Sequence, residues 1–325
     1  MDPRLRPNPT FTVVAPGFLT TVQDLGRYHC AHWGISPAGA ADPVSMRLGN
    51  MLVSNPENCP VLEMTLVGGM FRFDSAVRIA LAGSDFGATL DDNAVPVWQT
   101  IDIAPGQLLK CGSTKSGARC YLCVAGGVVV PPILSSASTH LLTSLGGFEG
   151  RPLKAGDVLE YAYRDKPSSR ERRVAREDVV GSLYQRRPLR ITLGPQGNGF
   201  GADAFSRLSS SVYIVREESN RMGLRLSGPE LHRPEGSDLV TEGVSLGAIQ
   251  VPRDGMPIIL SVEHPTTGGY PKIANVILPD MHRVGQFRPR DEITFDFVTF
   301  DVALSLLRER EALLSPRHCL QTIVS

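Results

Sequence analysis

The chain carries no excess charge of either sign. Lysine plus arginine and aspartate plus glutamate both number 33, so the formal net charge at pH 7 is zero. Without a net field nothing draws the protein to a phosphate backbone or an anionic lipid surface, and nucleic acid and membrane are set aside as partners. No apolar run reaches the length of a membrane span, and residues 1–10, broken by Pro3, Pro7 and Pro9, lack the apolar core of a signal peptide. A cytoplasmic location is the expectation. Cysteine is scarce, six in 325 residues, which without a secretory signal points to reduced, partly buried thiols rather than a disulfide framework. A phosphate-binding G-x-x-x-x-G-K-[ST] loop is missing as well, and Asp85-Phe86-Gly87 stands without the other kinase motifs, so no self-contained nucleotide site is legible.

Turn formers are what the chain has in quantity. Glycine at 32 and proline at 25 separate short apolar runs at 77–82, 120–124, 190–193, 248–251 and 258–262, the pattern of short strands joined by tight turns. One helix is expected at 43–52, with Asp42 as its cap and Pro43 at the favoured first helical position. The length fits about two domains. Residues 1–163 read as an N-terminal β-rich half, 164–188 as a charged linker, 189–300 as a second β-rich half and 301–325 as a C-terminal helix and tail. The apolar residues Val302, Leu304, Leu306, Leu307, Leu313 and Leu314 give that helix an amphipathic pattern, expected to close the second half against the body.

Three motifs with catalytic precedents read better as structure. Gly243-Val244-Ser245-Leu246-Gly247 has the G-x-S-x-G spacing of a hydrolase nucleophile, but residues 248–252 continue as a strand where that turn requires a helix. Ser245 is expected to be a turn residue. Cys120 and Cys123 have C-x-x-C spacing inside a strand, where residues three apart face opposite ways and cannot share a metal. His29-Cys30-Ala31-His32 has no second Cys/His pair at ligand spacing, and no metal is expected.

The segment with the most chemistry is Thr266-Thr267-Gly268-Gly269-Tyr270-Pro271-Lys272. Paired glycines let backbone N–H groups converge on an anion, beside two hydroxyls, a phenol and an ammonium. A tight hairpin turn is the competing reading. Two further polar loops, 20–27 with Gln23, Asp24 and Arg27, and 218–223 with Asn220 and Arg221, read on their own as turn and strand entry.

Taken together these segments resemble the allophanate hydrolase second-subunit family of KipA/PxpC-type, biotin-dependent carboxyltransferase proteins. The resemblance runs through 16–27, Gly34-Ile35-Ser36, Asp42, Asn50, 62–66, 121–132, 146–151, Gly194-Pro195-Gln196, 219–223, 247–252 and 266–274. It implies a mainly β fold of tandem cyclophilin-like β-barrel halves with a few short helices and a C-terminal helix. It also implies a KipI/PxpB-type partner subunit, a PxpA/LamB-type third subunit, a small amide substrate, ATP used in the complex, and carboxybiotin carried by a partner in the carboxylase branch. The chain itself has no Met-Lys-Met biotin-attachment site. The implied catalytic residues are Thr266, Thr267, Tyr270 and Lys272, and the implied substrate-binding residues are Gly268, Gly269, Gln23, Asp24, Arg27, Asn50, Asn220, Arg221 and Gln250. An amide oxygen that gains negative charge calls for such N–H and hydroxyl donors. ATP-dependent opening of 5-oxoproline is the leading implication, favoured by residues 91–95. The carboxyltransferase step of a urea carboxylase or allophanate hydrolase system and a KipA-like regulatory binding role are the alternatives. The sequence departs from the family at 135–139, at Pro265 where glutamine is expected, and at Arg290 where glycine is usual.

Overall fold

The computed structural model describes residues 8–162, 171–232 and 239–324. They divide into two compact units: residues within 1–27, 38–182 and 313–325 form the first, and residues within 28–37 and 183–312 form the second. Both are mainly β, as the glycine, proline and short apolar runs imply.

In the first unit a seven-stranded and a five-stranded sheet share one core. The strands Thr10–Ala15 and Met70–Phe73 alternate, and each sends every second residue inward: Phe11, Val13, Phe71 and Phe73 are fully buried. The strands Val61–Thr65 and Arg119–Val124 are buried on both faces. Leu62, Met64, Cys120, Leu122 and Val124 join the core between the sheets, while Val61, Tyr121 and Cys123 pack with the helix Pro43–Leu52 on the other side. Cys120 and Cys123 therefore point to opposite faces, as period-2 geometry requires. The helix has the expected ends: Ser45 N–H donates to Asp42 Oδ1 at 2.9 Å, and Pro43 occupies the first turn.

The second unit is built on an eight-stranded sheet, with a separate two-stranded ribbon beside it. The sheet's two edge strands, Glu292–Ile293 and Phe295–Phe297, are separated in sequence only by Thr294. Opposite edges joined by one residue require the sheet to curl almost shut on itself, which is the β-barrel expected for this half. Leu189, Ile191, Ile249, Ile259, Ile273 and Phe295 fill the interior.

Two expectations fail. Of the linker at 164–188, residues 164–170 lie outside the described residues, but Glu171–Ala175 is a strand and Glu177–Tyr184 a helix. The strand has a partner that local reading could not supply: it pairs antiparallel with Leu320–Val324, so the segment read as a tail is a strand of the first unit. The helix Phe300–Leu313 forms but buries no residue. Ala303, Leu306, Leu307 and Arg310 make a half-buried stripe, while Val302 and Leu304 point away and Phe300 is 75% exposed. Its apolar residues wrap too wide an arc for one contact stripe to cover.

Candidate active site

Lys272 begins the barrel strand Lys272–Val276, and its neighbour Ala248–Gln250 runs antiparallel to it. Ile249 faces Ala274, but Gln250 faces Lys272, so Ile273 is one residue extra on its strand. Such a bulge turns side chains that would otherwise follow the pleat. Ile249, Val251 and Ile273 point into the barrel core, whereas Gln250 and Lys272 sit side by side on the outer face. Both are nonetheless buried, at 4% and 3% exposure.

They are covered by a two-stranded ribbon of Glu242–Gly243 and Thr267–Gly268, with Glu242 opposite Gly268. The ribbon is held down by charge. Lys272 Nζ donates to Glu242 Oε1, and Gln196 Nε2 donates to the same oxygen at 2.6 Å. Gln196 is fixed in turn by accepting Lys272 N–H at its own Oε1, 3.1 Å away. The hydrogen bond from Lys272 holds the Glu242 carboxyl below its usual range against a smaller opposing effect of burial. A lysine this buried needs such a partner, because an isolated ammonium out of water is costly.

Gln250 contributes an open donor. Its amide nitrogen is buried and has no hydrogen-bond partner among the described residues. It lies against the Cα of Gly268, where a Cβ would stand 2.6 Å from it and 3.2 Å from Val244 Cγ1. Glycine at 268 permits this close approach of the ribbon to the amide.

This arrangement bears on both readings of residues 266–272. An anion nest needs left-handed backbone, and neither Gly268 nor Gly269 has positive φ. Thr267–Gly268 is extended and pairs with Glu242–Gly243 rather than within its own segment, so neither a local hairpin turn nor a backbone nest forms. The positive charge of this segment is Lys272, ion-paired to Glu242 with Gln196 and Gln250 beside it. Thr266 is half-buried, with its carbonyl accepting Val244 N–H at 3.1 Å, while Thr267 and Tyr270 are exposed and Gly269 is half-buried beside Thr241.

Asn220 and Arg221 occupy a second place in this unit. Asn220 Oδ1 closes its own turn by accepting Met222 N–H at 2.8 Å. Arg221 Nε donates to Glu263 Oε1 at 2.6 Å, with both side chains buried. Beside Glu263, His264 Nδ1 is 2.8 Å from the Pro265 carbonyl. A carbonyl can only accept, so Nδ1 carries the proton; burial holds this histidine below its ordinary value and keeps it neutral.

Gln23, Asp24, Arg27 and Asn50 belong to the first unit, where they serve loop architecture. Asp24 Oδ1 accepts Gly26 N–H at 2.8 Å and the Ser136 hydroxyl at 2.7 Å, Ser138 also donates to it, and Oδ2 accepts Ala137 N–H at 2.7 Å. Arg27 is fully buried and donates to the Ser138 carbonyl. Residues 135–139, where the sequence departs from the family, are thus the cradle of Asp24. Gln23 Nε2 donates to Thr21 and to the Thr139 carbonyl, and its buried Oε1 has no partner among the described residues. Asn50 donates to the carbonyls of Glu57 and Cys59 and accepts from Asn55, which commits its whole amide to one loop. Asn50, expected from the resemblance to bind substrate, braces this loop's backbone.

Sequence reading missed Glu242, Glu263 and His264, and used Gln196 only as part of a matching motif. It also missed the buried cluster in which Glu63 Oε2 accepts Tyr121 O–H at 2.7 Å and Ala41 N–H at 2.8 Å beside Arg119. The only signal for Glu242 was its place just before Gly243, inside a motif read for its serine. Ser245 is an exposed turn residue whose hydroxyl lies 3.4 Å from Asn275 Oδ1.

A curled β sheet that carries an ion-paired buried lysine and a buried amide under a two-stranded ribbon defines a mainly β protein with a polar cluster on its barrel face. Residues 33–297 match the family described as carboxyltransferase domain, subdomain A and B, and the chain belongs to that family. It is 37% identical over 302 residues to the 5-oxoprolinase C subunit of Escherichia coli K12, a match that covers 92% of this chain and 94% of the relative. It is 35% identical over 295 residues to the 5-oxoprolinase C subunit of Haemophilus influenzae, covering 90% and 93%. The crystal structure of Kluyveromyces lactis urea amidolyase is similar to it with a TM-score of 0.85 and 31% identity, over 96% of this chain but only 20% of that one.

Proposed function

We propose that the chain is the carboxyltransferase-type subunit of a multi-chain, ATP-dependent 5-oxoprolinase, acting with a KipI/PxpB-type subunit and a PxpA/LamB-type third subunit. The observation that carries this reading is extent: the chain aligns with 94% of the E. coli oxoprolinase relative, a free-standing chain of similar length. ATP enters through the other chains, since this sequence has no phosphate-binding loop. The part left to this chain is positioning. As the lactam carbon is attacked its oxygen gains negative charge, which the Gln250 amide donor stabilises in a buried setting where it counts for more than in water, while the Lys272 ammonium beside it supplies the positive charge that holds an anionic substrate.

A second reading is the carboxyltransferase step of a urea carboxylase, supported by the TM-score of 0.85 to the K. lactis amidolyase. There the same polar groups suit the ureido oxygen of carboxybiotin held by a partner domain.

The test is ATP hydrolysis by the assembled complex, with 5-oxoproline and with urea. Stimulation by 5-oxoproline supports the leading reading, and stimulation by urea alone replaces it with the second. Lys272→Met is expected to lower turnover by about 10²-fold or more, the scale of one lost electrostatic donor, while leaving subunit pairing intact on gel filtration. Unchanged turnover in that variant would remove Lys272 from the site.

A further inference from the structure

We infer that Lys272 and Gln196 form a preformed carboxylate receptor, that Glu242 is its resident occupant, and that a substrate carrying both a carboxylate and an amide carbonyl binds by displacing Glu242. This rests on the oxoprolinase reading and names the substrate groups the site takes.

The two donors converge on one atom. Lys272 Nζ and Gln196 Nε2 both bond Glu242 Oε1, which is how a receptor grips an external carboxylate. The receptor is fixed by the barrel. Lys272 is 4% exposed in its side chain and stands at a bulge, and Gln196 is tied to Lys272 both ways, its own N–H donating to the Lys272 carbonyl at 3.3 Å. The occupant is the loose member. Glu242 has a side chain 45% exposed and sits on a ribbon strand of two residues. An exchange of one carboxylate for another conserves the charge balance around the buried ammonium, so it avoids the penalty of leaving that cation unpaired.

The Gln250 donor explains why a bare carboxylate is an incomplete ligand. Its amide N–H is unpartnered among the described residues and lies in the same covered patch, opposite Lys272 in the strand register. A ligand whose carbonyl oxygen reaches that donor satisfies a buried group that Glu242 leaves unsatisfied, and this difference tips the exchange toward the ligand. Glu242 then acts as a selectivity filter, because a ligand without a carboxylate cannot take its place on Lys272.

Calorimetric titration of the full chain with 5-oxoproline, and with 2-pyrrolidone as the same ring without the carboxylate, tests this. Glu242→Gln removes the competing charge and is expected to tighten 5-oxoproline about tenfold, the scale of one exchanged charged hydrogen bond, with 2-pyrrolidone unchanged. Gln250→Leu is expected to weaken 5-oxoproline and serves as a second variant at an independent contact. Equal effects of Glu242→Gln on the two ligands, weaker 5-oxoproline binding by that variant, or no 5-oxoproline binding by either protein would overturn the inference. The readouts separate it from the functional reading. A complex whose ATP hydrolysis responds to 5-oxoproline, with a KM that Glu242→Gln does not lower, sinks the exchange and leaves the oxoprolinase reading standing; a complex that does not respond to 5-oxoproline sinks that reading, and the two-ligand titration still decides the exchange.

Discussion

Three arginines converge on Asp280. It is fully buried, and Arg190 grips it with Nε at 3.0 Å, a second contact from Nη2 and its backbone N–H at 2.9 Å, while Arg283 and Arg187 stand 3.5 and 3.7 Å away. Burial alone would raise its pKa, but the hydrogen bonds from Arg190 and the charges of Arg190 and Arg283 outweigh it and hold the carboxyl below the ordinary value of 3.8. Since the folded value is the lower one, the stabilisation is fully present above about pH 4 and is lost as pH falls through the folded value. Asp280→Ala leaves the arginines uncompensated and is expected to cost about 3–5 kcal/mol in urea denaturation at neutral pH. A loss under about 1 kcal/mol would show that the arginines re-pair elsewhere.

Arg290 gives the opposite prediction. It has φ of +73° at a position where the family resemblance leads one to expect glycine, and a left-handed conformation costs a side-chain-bearing residue about 1–2 kcal/mol. Its ion pair with Glu217 is 87% and 63% exposed and offsets little of that. Arg290→Gly is expected to raise the denaturation midpoint, through a gain in unfolding free energy of about 1 kcal/mol at most once the entropy of glycine is counted. A fall in the midpoint would show that the exposed pair matters more than the strain.

Among the elements, the helix Pro43–Leu52 shows how little tolerance lies between layers. A Cβ on Gly49 would stand 2.5 Å from Cys123 Sγ and 3.0 Å from Ala82 Cβ, so Gly49→Ala must push the helix off its sheet. Despite the better helix propensity of alanine, a loss of about 1–3 kcal/mol is expected by chemical denaturation; a neutral result would mean that the helix shifts freely. This helix was legible because its signals are local: cap, proline and apolar spacing all lie within residues 42–52. The strand Leu320–Val324 was not legible, because its partner Glu171–Ala175 lies far back in the chain and nothing local distinguishes a docked strand from a tail. The glycines at 268–269 misled for a related reason: glycine permits a nest and also permits close packing, and only the paired ribbon selects the second.

Among the described residues the hydrophobic clusters of the first unit share no residue with that of the second. Scanning calorimetry is expected to resolve two transitions, with Gly49→Ala lowering one and Asp280→Ala the other. A single transition shifted by both variants would show that the units unfold as one. At this scale the sequence by itself determined the β class, the capped helix, the short strands and the polar loops, because turn residues, caps and alternation act within a few residues of one another. Only the tertiary structure decided that Asp24 and Asn50 brace loops, and that Glu242, Gln196, Gln250 and Lys272 meet in one polar cluster. Those four come from separate stretches of the chain, and they meet because a bulge, a barrel face and a ribbon place their side chains within hydrogen-bonding or packing reach, a relation that no local spacing encodes.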